Sequence, residues 1–334
     1  MTANELMPLV RLAPAKLNLT LAVGERRRDG FHDLHTVMVP LGLADRLSLA
    51  RAAGGRDSLH VVGPDGRTSL DAAGYGSVIA GLEAARRIVG RGAETFPIAA
   101  RLEKRIPVAA GLAGGSSDAA AAMDGALTAW GADPADDDRR RAAAAVGSDV
   151  PFFLAGGSAL VEGRGERVTP LAPFAGAAAA LLLVTPAVEV STAAAFALLD
   201  SDPAATPGSR GSTRLTSEHL AAELGPGYTP MSADELLRRA GVLAVANDLA
   251  NAADLLVPGL RALRRGLVRL LGRPIGLSGS GPTLWALYPS IGEAQEAAAR
   301  VRDDHAAGRL DSPGTGSPFI EATTIEGGAG RTSA

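Results

Sequence analysis

The sequence predicts a two-domain chain of mixed strands and helices, and three observations predict it. Its 334 residues are more than one ordinary domain needs and enough for two, each with its own core. Short apolar runs fill the stretch up to about residue 62 and read as strands, whereas alanine-rich segments of helical period follow them. Between the two styles, Arg105 to Met123 joins a glycine-rich loop to the start of a helix.

Composition narrows the function. A hydrophobic share of 46% with 21% charged residues is that of a globular protein, and a formal net charge of −3 argues against a nucleic-acid partner held by bulk electrostatics. Cysteine is absent, which excludes disulfides, thiolate metal sites and cysteine nucleophiles. The uncharged run from Thr169 to Val188 is broken by Pro170, Pro173 and Pro186, a poor membrane span, and the N-terminus carries no signal-peptide pattern. A cytoplasmic protein without a membrane partner is expected; its oligomeric state is not legible.

Taken in order, Val10 to Val23 reads as strand, with Pro14 marking an edge or bulge and Lys16 in an otherwise apolar setting. Lys16 has two readings: a solvent-side residue of an edge strand, or a cation kept for an anionic substrate. Arg26 to Arg28 flank an Asp29-Gly30 turn. His32 and His35 have a metal-like spacing, but no further ligand cluster accompanies them. Val37 to Leu43, Leu47 to Ala50 and Leu59 to Val62 predict a meander of three strands separated by Asp-Arg and Gly-Gly-Arg-Asp turns. Ser77 to Val89 predicts an amphipathic helix with Val78, Leu82, Ala85 and Val89 inward and Arg86 and Arg87 off that face. Ile98 to Ile106 is the strand that delivers the chain to the glycine loop.

In that loop Pro107 removes a donor and Gly111, Gly114 and Gly115 loosen the backbone, while Ser116, Ser117 and Asp118 suit a helix cap or first turn before an alanine run. A helix start exposes unpaired N–H groups at its positive end, and glycines let main chain approach a bulky anion, so the junction suits phosphate. It is neither the G-x-x-x-x-G-K-[ST] loop nor a dinucleotide fingerprint.

The helix runs on to about Trp130, and a second covers Pro134 to Val146. Asp149, in Gly147-Ser148-Asp149-Val150-Pro151-Phe152-Phe153, is either a turn cap or a functional carboxylate. Gly156 to Val168 predicts a strand pair, with a domain boundary near Gly163, and Leu181 to Thr185 a further strand. Ser191 or Thr192 caps a helix carrying Phe196. Ser201 to Met231, rich in Pro, Gly, Ser and Thr, is expected to be a partly flexible surface insertion. Helices over Pro258 to Leu271 and Ile291 to Arg300 bracket a glycine turn, Gly276 to Thr283, and a strand from Leu284; Gly327 onward is a tail.

Arg105 to Met123 resembles the P-x-x-x-G-L-G-[GS]-S-[SA]-[DN]-A-A motif of the GHMP kinases, with Ala113 in place of the middle glycine. Four further segments, in family order, resemble the branch that phosphorylates a cytidine-diphosphate-linked methylerythritol: Pro14-Ala15-Lys16-Leu17-Asn18-Leu19, Asp29-Gly30-Phe31-His32, the Asp149 segment, and Val190-Ser191-Thr192 with Phe196. The resemblance covers nearly the whole chain. It implies an α+β GHMP fold, with a ribosomal S5 domain 2-like N-terminal domain (1–163), a ferredoxin-like C-terminal domain (164–326), a tail (327–334) and an active site in the cleft between the domains. It implies that Pro107, Val108, Ala109, Ala110, Gly111, Leu112, Ala113, Gly114, Gly115, Ser116 and Ser117 form the ATP loop, and that Lys16 and Asp149 are catalytic. It further implies that Asn18, Phe31, His32, Thr192 and Phe196 meet the substrate, with Phe31 and Phe196 as plates for the cytosine and His32 at its edge. ATP with Mg²⁺ is expected, the metal's ligands being unknown although Ser116 or Ser117 suit it.

Two departures leave roles open. Ser77-Val78 replaces the family's usual Asn-Leu, and Ala250 replaces a glutamate after Asn247-Asp248-Leu249. The competing readings are a homoserine or mevalonate kinase, which has no use for Phe31, His32 and Phe196, and a GHMP-like sensor that does not turn over.

Overall fold

A computed structural model of the chain describes residues 8–52, 55–63, 68–69, 76–90, 97–176, 179–201 and 210–327. The apolar N-terminal run makes β1 (Leu9–Asn18) and β2 (Ala22–Arg26), which both pair antiparallel with β3 (His32–Arg51). Register between β1 and β3 shifts between Pro14 and Lys16, the irregularity that a donor-less proline calls for. β3 is one 20-residue strand where a turn at Asp45-Arg46 was expected. The chain does not turn there because Asp45, fully buried, satisfies its carboxylate inside the fold: it accepts the N–H of Arg105 at 2.5 Å and of Ile106 at 2.9 Å, and binds the Lys104 ammonium.

The remaining elements of the first sheet are β4 (Ser58–Val62), β5 (Thr68–Ser69), β6 (Ile98–Glu103), β7 (Ala159–Gly163) and β8 (Arg167–Pro170), in the order β5-β4-β6-β3-β7-β8. Helices α1 (Gly76–Val89), α2 (Gly114–Trp130), α3 (Asp136–Val146) and α4 (Val150–Ala155) belong to the same half of the chain. α1 and α2 cross so closely that a Cβ on Gly81 would lie 2.2 Å from the Ala119 carbonyl, which is why a glycine and an alanine run meet there. Leu47, Leu49, Val78, Leu82 and Leu102 fill the space between helices and sheet, each fully buried side chain contributing about 1.5–3 kcal/mol. Arg86 also turns inward, its guanidinium 2.7 Å from Asp57, rather than lying off the buried face.

A second sheet follows: β9 (Ala180–Thr185), β10 (Gly276–Leu277), β11 (Leu284–Tyr288) and β12 (Phe319–Thr324), antiparallel in the order β10-β11-β9-β12. That is the ferredoxin-like order, with α11 (Ile291–Ala306) between β11 and β12. Between β9 and β10 lie α5 (Thr192–Ser201), α6 (Arg210–Glu223), α7 (Ala233–Arg238), α8 (Ala240–Leu243), α9 (Ala250–Leu256) and α10 (Leu260–Leu271). The first sheet continues past Gly163 through β8, so the change of sheet falls between Pro170 and Ala180.

The two sheets share a core. Leu17, Val39 and Leu41 of the first pack with Leu181, Leu183 and Trp285 of the second. The supposed insertion is part of this core: Leu220, Leu224 and Met231 are buried in it, and Ser217 of α6 hydrogen-bonds His35 Nδ1 and Thr20 Oγ1, each at 2.8 Å. Only residues 202–209 of that segment, like the tail from 328, lie outside the described residues. No helix among the described residues is long and apolar enough to cross a membrane.

Candidate active site

The strand β6 ends at Glu103, and the chain reaches α2 through residues that need left-handed backbone: Ala109 (φ 52°), Gly111 (φ 77°) and Ala113 (φ 56°). Ala113 is the N-cap, so α2 begins at Gly114; Ser116 and Ser117 lie in its first turn and Asp118 follows in the next, none of them a cap. The first intrahelical donor is Ser117, whose N–H reaches Ala113 O at 3.0 Å; the N–H groups of Gly114, Gly115 and Ser116 have no helical acceptor. A Cβ on Gly115 would meet nothing closer than Ser77 at 3.8 Å, so main chain is open to a ligand there.

The loop is pinned from behind. A Cβ on Gly111 would fall 2.3 Å from the Ser278 carbonyl, and the Gly111 carbonyl accepts from Ser278 Oγ and from Lys16 Nζ, both at 3.0 Å. The Lys16 N–H itself donates to Leu112 O at 3.1 Å. Behind the bulge in β1, therefore, Lys16 is tied to the glycine loop by both backbone and side chain.

Lys16 is 4% exposed, and its ammonium donates to Asn18 Oδ1 at 2.7 Å. Burial pushes its pKa below the ordinary lysine value, partly opposed by Asp149, whose carboxylate lies 3.9 Å away. Asp149 precedes α4 without capping it; Pro151 at the first turn and buried Val150 and Phe152 fix the backbone that carries it. A half-buried carboxylate beside a desolvated ammonium suits proton acceptance from a hydroxyl.

These groups face one cavity of about 460 Å³. Lys16, Asn18, Asp149, Thr192 and Phe196 line it, as do loop residues 107–116 except Leu112. Leu112 is fully buried in the core between the sheets and Ser117 is 1% exposed, so neither side chain lies on the cavity wall. Thr192 Oγ1 meets Ser280 Oγ, from the Gly276 to Thr283 turn, at 2.9 Å.

The cytosine-directed residues are arranged differently from the expected sandwich. The His32 ring stacks on Phe196 with centroids 5.2 Å apart and 23° between planes, while Phe31 is 46% exposed under the Arg164 guanidinium, 5.4 Å from its ring centroid. Neither Phe31 nor His32 lines the cavity. His32 Nδ1 faces Gly24 O at 3.0 Å and Nε2 faces the Asp200 carboxylate at 3.2 Å, so α5 supplies both the ring and the carboxylate that hold it.

Sequence reasoning missed Lys104 and Asp118, which also line the cavity. The Lys104 ammonium sits between Asp45 and Asp118, the latter at 2.8 Å. Burial lowers the Lys104 pKa, but Asp118 and Asp45 outweigh it and leave a net rise. Burial raises Asp118 to about 7, Lys104 opposing and Asp45 adding to the rise, because two carboxylates share one cation. Asp118 Oδ1 and Ser117 Oγ are buried without a hydrogen-bond partner. Their signal was present only as a charge on either side of the loop.

An α+β fold with a glycine loop opening a helix above a lysine–aspartate pair defines a small-molecule kinase of the GHMP class, and the GHMP kinases N terminal domain family matches residues 77–157. A solved homoserine kinase from Cytophaga hutchinsonii has the same fold, at TM-score 0.65 and 18% identity over 98% of this chain and 97% of its own. The chain belongs to the 4-diphosphocytidyl-2-C-methyl-D-erythritol kinase family. The relative of that name from Thermus thermophilus is 38% identical over 87% of this chain and 92% of its own. The one from Deinococcus radiodurans is 37% identical over 86% and 87%. A crystal structure of 4-(cytidine 5'-diphospho)-2C-methyl-D-erythritol kinase superposes at TM-score 0.66 with 31% identity, covering 96% of this chain and all of the other.

Proposed function

We propose that this kinase transfers the γ-phosphoryl group of ATP to the 2-hydroxyl of 4-diphosphocytidyl-2-C-methyl-D-erythritol, a step of the non-mevalonate route to isopentenyl diphosphate. The observation that carries the reading is the approach of Lys16 to Asp149 at 3.9 Å on the wall that also holds the glycine loop. In it, Asp149 accepts the hydroxyl proton as the oxygen attacks, and Lys16 neutralises charge shared between that oxygen and the transferring group. The N–H groups of Gly114, Gly115 and Ser116 bind the nucleotide phosphates, helped by the dipole of the 17-residue α2. Phe196, stacked on His32, offers the cytosine its cavity-side face.

Beside the loop, the cavity wall offers the oxygens of Ser116 and the orphaned Asp118 Oδ1, a set that suits a hard cation. Mg²⁺ would be held there by Ser116 with Asp118 nearby, and it supplies neutralisation of phosphate charge. Dependence on ATP and on a small phosphorylated substrate supports a cytoplasmic enzyme.

The test is to offer the purified protein ATP and Mg²⁺ with 4-diphosphocytidyl-2-C-methyl-D-erythritol, homoserine and mevalonate in turn. Turnover of the first alone is expected. Preference for either other alcohol overturns the substrate, and binding of the cytidyl alcohol without turnover overturns the kinase.

A further inference from the structure

We infer that Thr36, outside the cavity, is a positioning residue for phosphoryl transfer that acts on Lys16 through Asn18. The inference rests on the reading of Lys16 given above and adds a residue to it.

Thr36 lies in β3, fully buried, and does not line the cavity. Its hydroxyl has a single proton, which it donates to Thr20 O at 2.5 Å. Toward Asn18 the same oxygen has only lone pairs left, and Asn18 Nδ2 donates to it at 2.8 Å. A hydroxyl spent in this way sets the direction of the amide: nitrogen toward Thr36, oxygen toward Lys16. Lys16 Nζ then finds an acceptor in Asn18 Oδ1 at 2.7 Å. Reversal of the amide would set two N–H donors against an ammonium that is 4% exposed.

The relay has a fixed far end. Thr20 Oγ1 accepts the Val37 N–H at 3.1 Å and pairs with Ser217 Oγ at 2.8 Å, so the turn between β1 and β2 is anchored both to β3 and to α6. At the near end, Lys16 has three N–H donors. Asn18 Oδ1 takes one and Gly111 O another at 3.0 Å, which leaves the third for the side where Asp149 stands at 3.9 Å. Loss of the Asn18 acceptor frees that donor to wander, and a misplaced donor is costly in transfer while contributing little to nucleotide capture.

The experiment measures steady-state kinetics with ATP and 4-diphosphocytidyl-2-C-methyl-D-erythritol for Thr36→Val and Thr36→Ser, in the parent and in Asn18→Ala. Thr36→Val should lower kcat about tenfold or more with KM for ATP changed by less than about twofold, and Thr36→Ser should restore most of the loss. In the Asn18→Ala background the residual turnover should be indifferent to Thr36→Val, because the group through which Thr36 acts is gone. Equal fold-losses in both backgrounds, or parental turnover in Thr36→Val, would overturn the inference. Should Thr36→Val not fold, Thr36→Ala is the second hydroxyl-free variant and must show the same pattern. Lys16→Met is the control: if it is inactive and the Thr36 variants are normal, this inference alone falls, whereas an active Lys16→Met removes the reading beneath it as well.

Discussion

Lys16 Nζ stands 3.9 Å from the Asp149 carboxylate, and the two arrive there by unrelated routes. Lys16 follows a proline bulge in the first strand; Asp149 is set by a proline-started helix turn on the other side of the glycine loop. Asp149 makes no capping hydrogen bond to its helix, which leaves its carboxylate facing the cavity and Lys16 for the reaction proposed above.

Asp149→Asn keeps the shape and removes proton acceptance. Turnover should fall on the order of 10²- to 10⁴-fold with ATP affinity nearly unchanged, since no atom of Asp149 belongs to the loop. Rapid-quench or steady-state kinetics beside nucleotide titration would check it, and near-parental kcat removes Asp149 from the role of base.

Two glycines of the same loop should behave in opposite ways. Gly115 is open apart from Ser77 at 3.8 Å, so Gly115→Val should fold normally and lose ATP binding by filling the approach to the helix start. Gly111 combines φ 77° with a Cβ position 2.3 Å from Ser278 O, so Gly111→Ala should lower the unfolding midpoint itself. The left-handed backbone alone costs about 1–2 kcal/mol for a non-glycine. Thermal unfolding with and without ATP separates the two outcomes; a Gly115→Val protein that still binds ATP tightly would place the phosphates elsewhere.

Much of this site was legible because its residues contradict their surroundings. A lysine two residues after Pro14 in an apolar strand, and glycines handing over to Ser116 and an alanine run, stand out as candidates by violating the local pattern, and the structure gathers them on one cavity. Asp45 violated the pattern too, yet a charge between two apolar runs looks like a turn, and it is partners distant in sequence, the Lys104 ammonium and the Arg105 and Ile106 N–H groups, that hold it inside a strand. The helix α6 was hidden by its polar composition, since Leu215 and Leu220 are its large apolar residues among serines, threonines and charges, and Leu224 and Met231, buried in the same core as Leu220, lie beyond its end. Ala113 looked like a lost glycine; its φ of 56° shows the position still demands the conformation for which glycine is the ordinary choice. The stacking partner of His32 could not be read at all, because which aromatic meets which ring depends on how α5 docks.

That docking ranks the aromatic residues. Phe196 lines the cavity and Phe31 is 46% exposed beneath Arg164, so Phe196→Ala should weaken the cytidyl substrate more than Phe31→Ala. Stacking on an aromatic is worth roughly 1–3 kcal/mol per base, or about 5- to 150-fold in affinity, and ATP binding should hardly change in either variant. Titration of each variant with cytidine diphosphate-linked and free methylerythritol phosphates provides the check. Equal damage from both substitutions would restore the two-plate sandwich, and no damage from either would remove cytosine from this part of the cleft.

The shared cation Lys104 makes a prediction about pH. Asp118 has an ordinary value of 3.8 and is raised to about 7 in the fold, so between those values the native state binds a proton that the unfolded chain has lost. Stability drawn from that proton is full below about pH 4 and is lost as pH climbs through the folded value near 7. Lys104, pushed above its ordinary 10.5, stays charged throughout that window and does not blur it. Asp118→Asn keeps an acceptor for the Lys104 ammonium, in contact at 2.8 Å in the parent, and removes the titration. Urea unfolding at pH 5 and pH 8 should therefore show the parent losing stability across the interval by more than Asp118→Asn does. If instead the two proteins keep a constant difference at both pH values, Asp118 carries the same charge throughout, and the raised pKa is wrong.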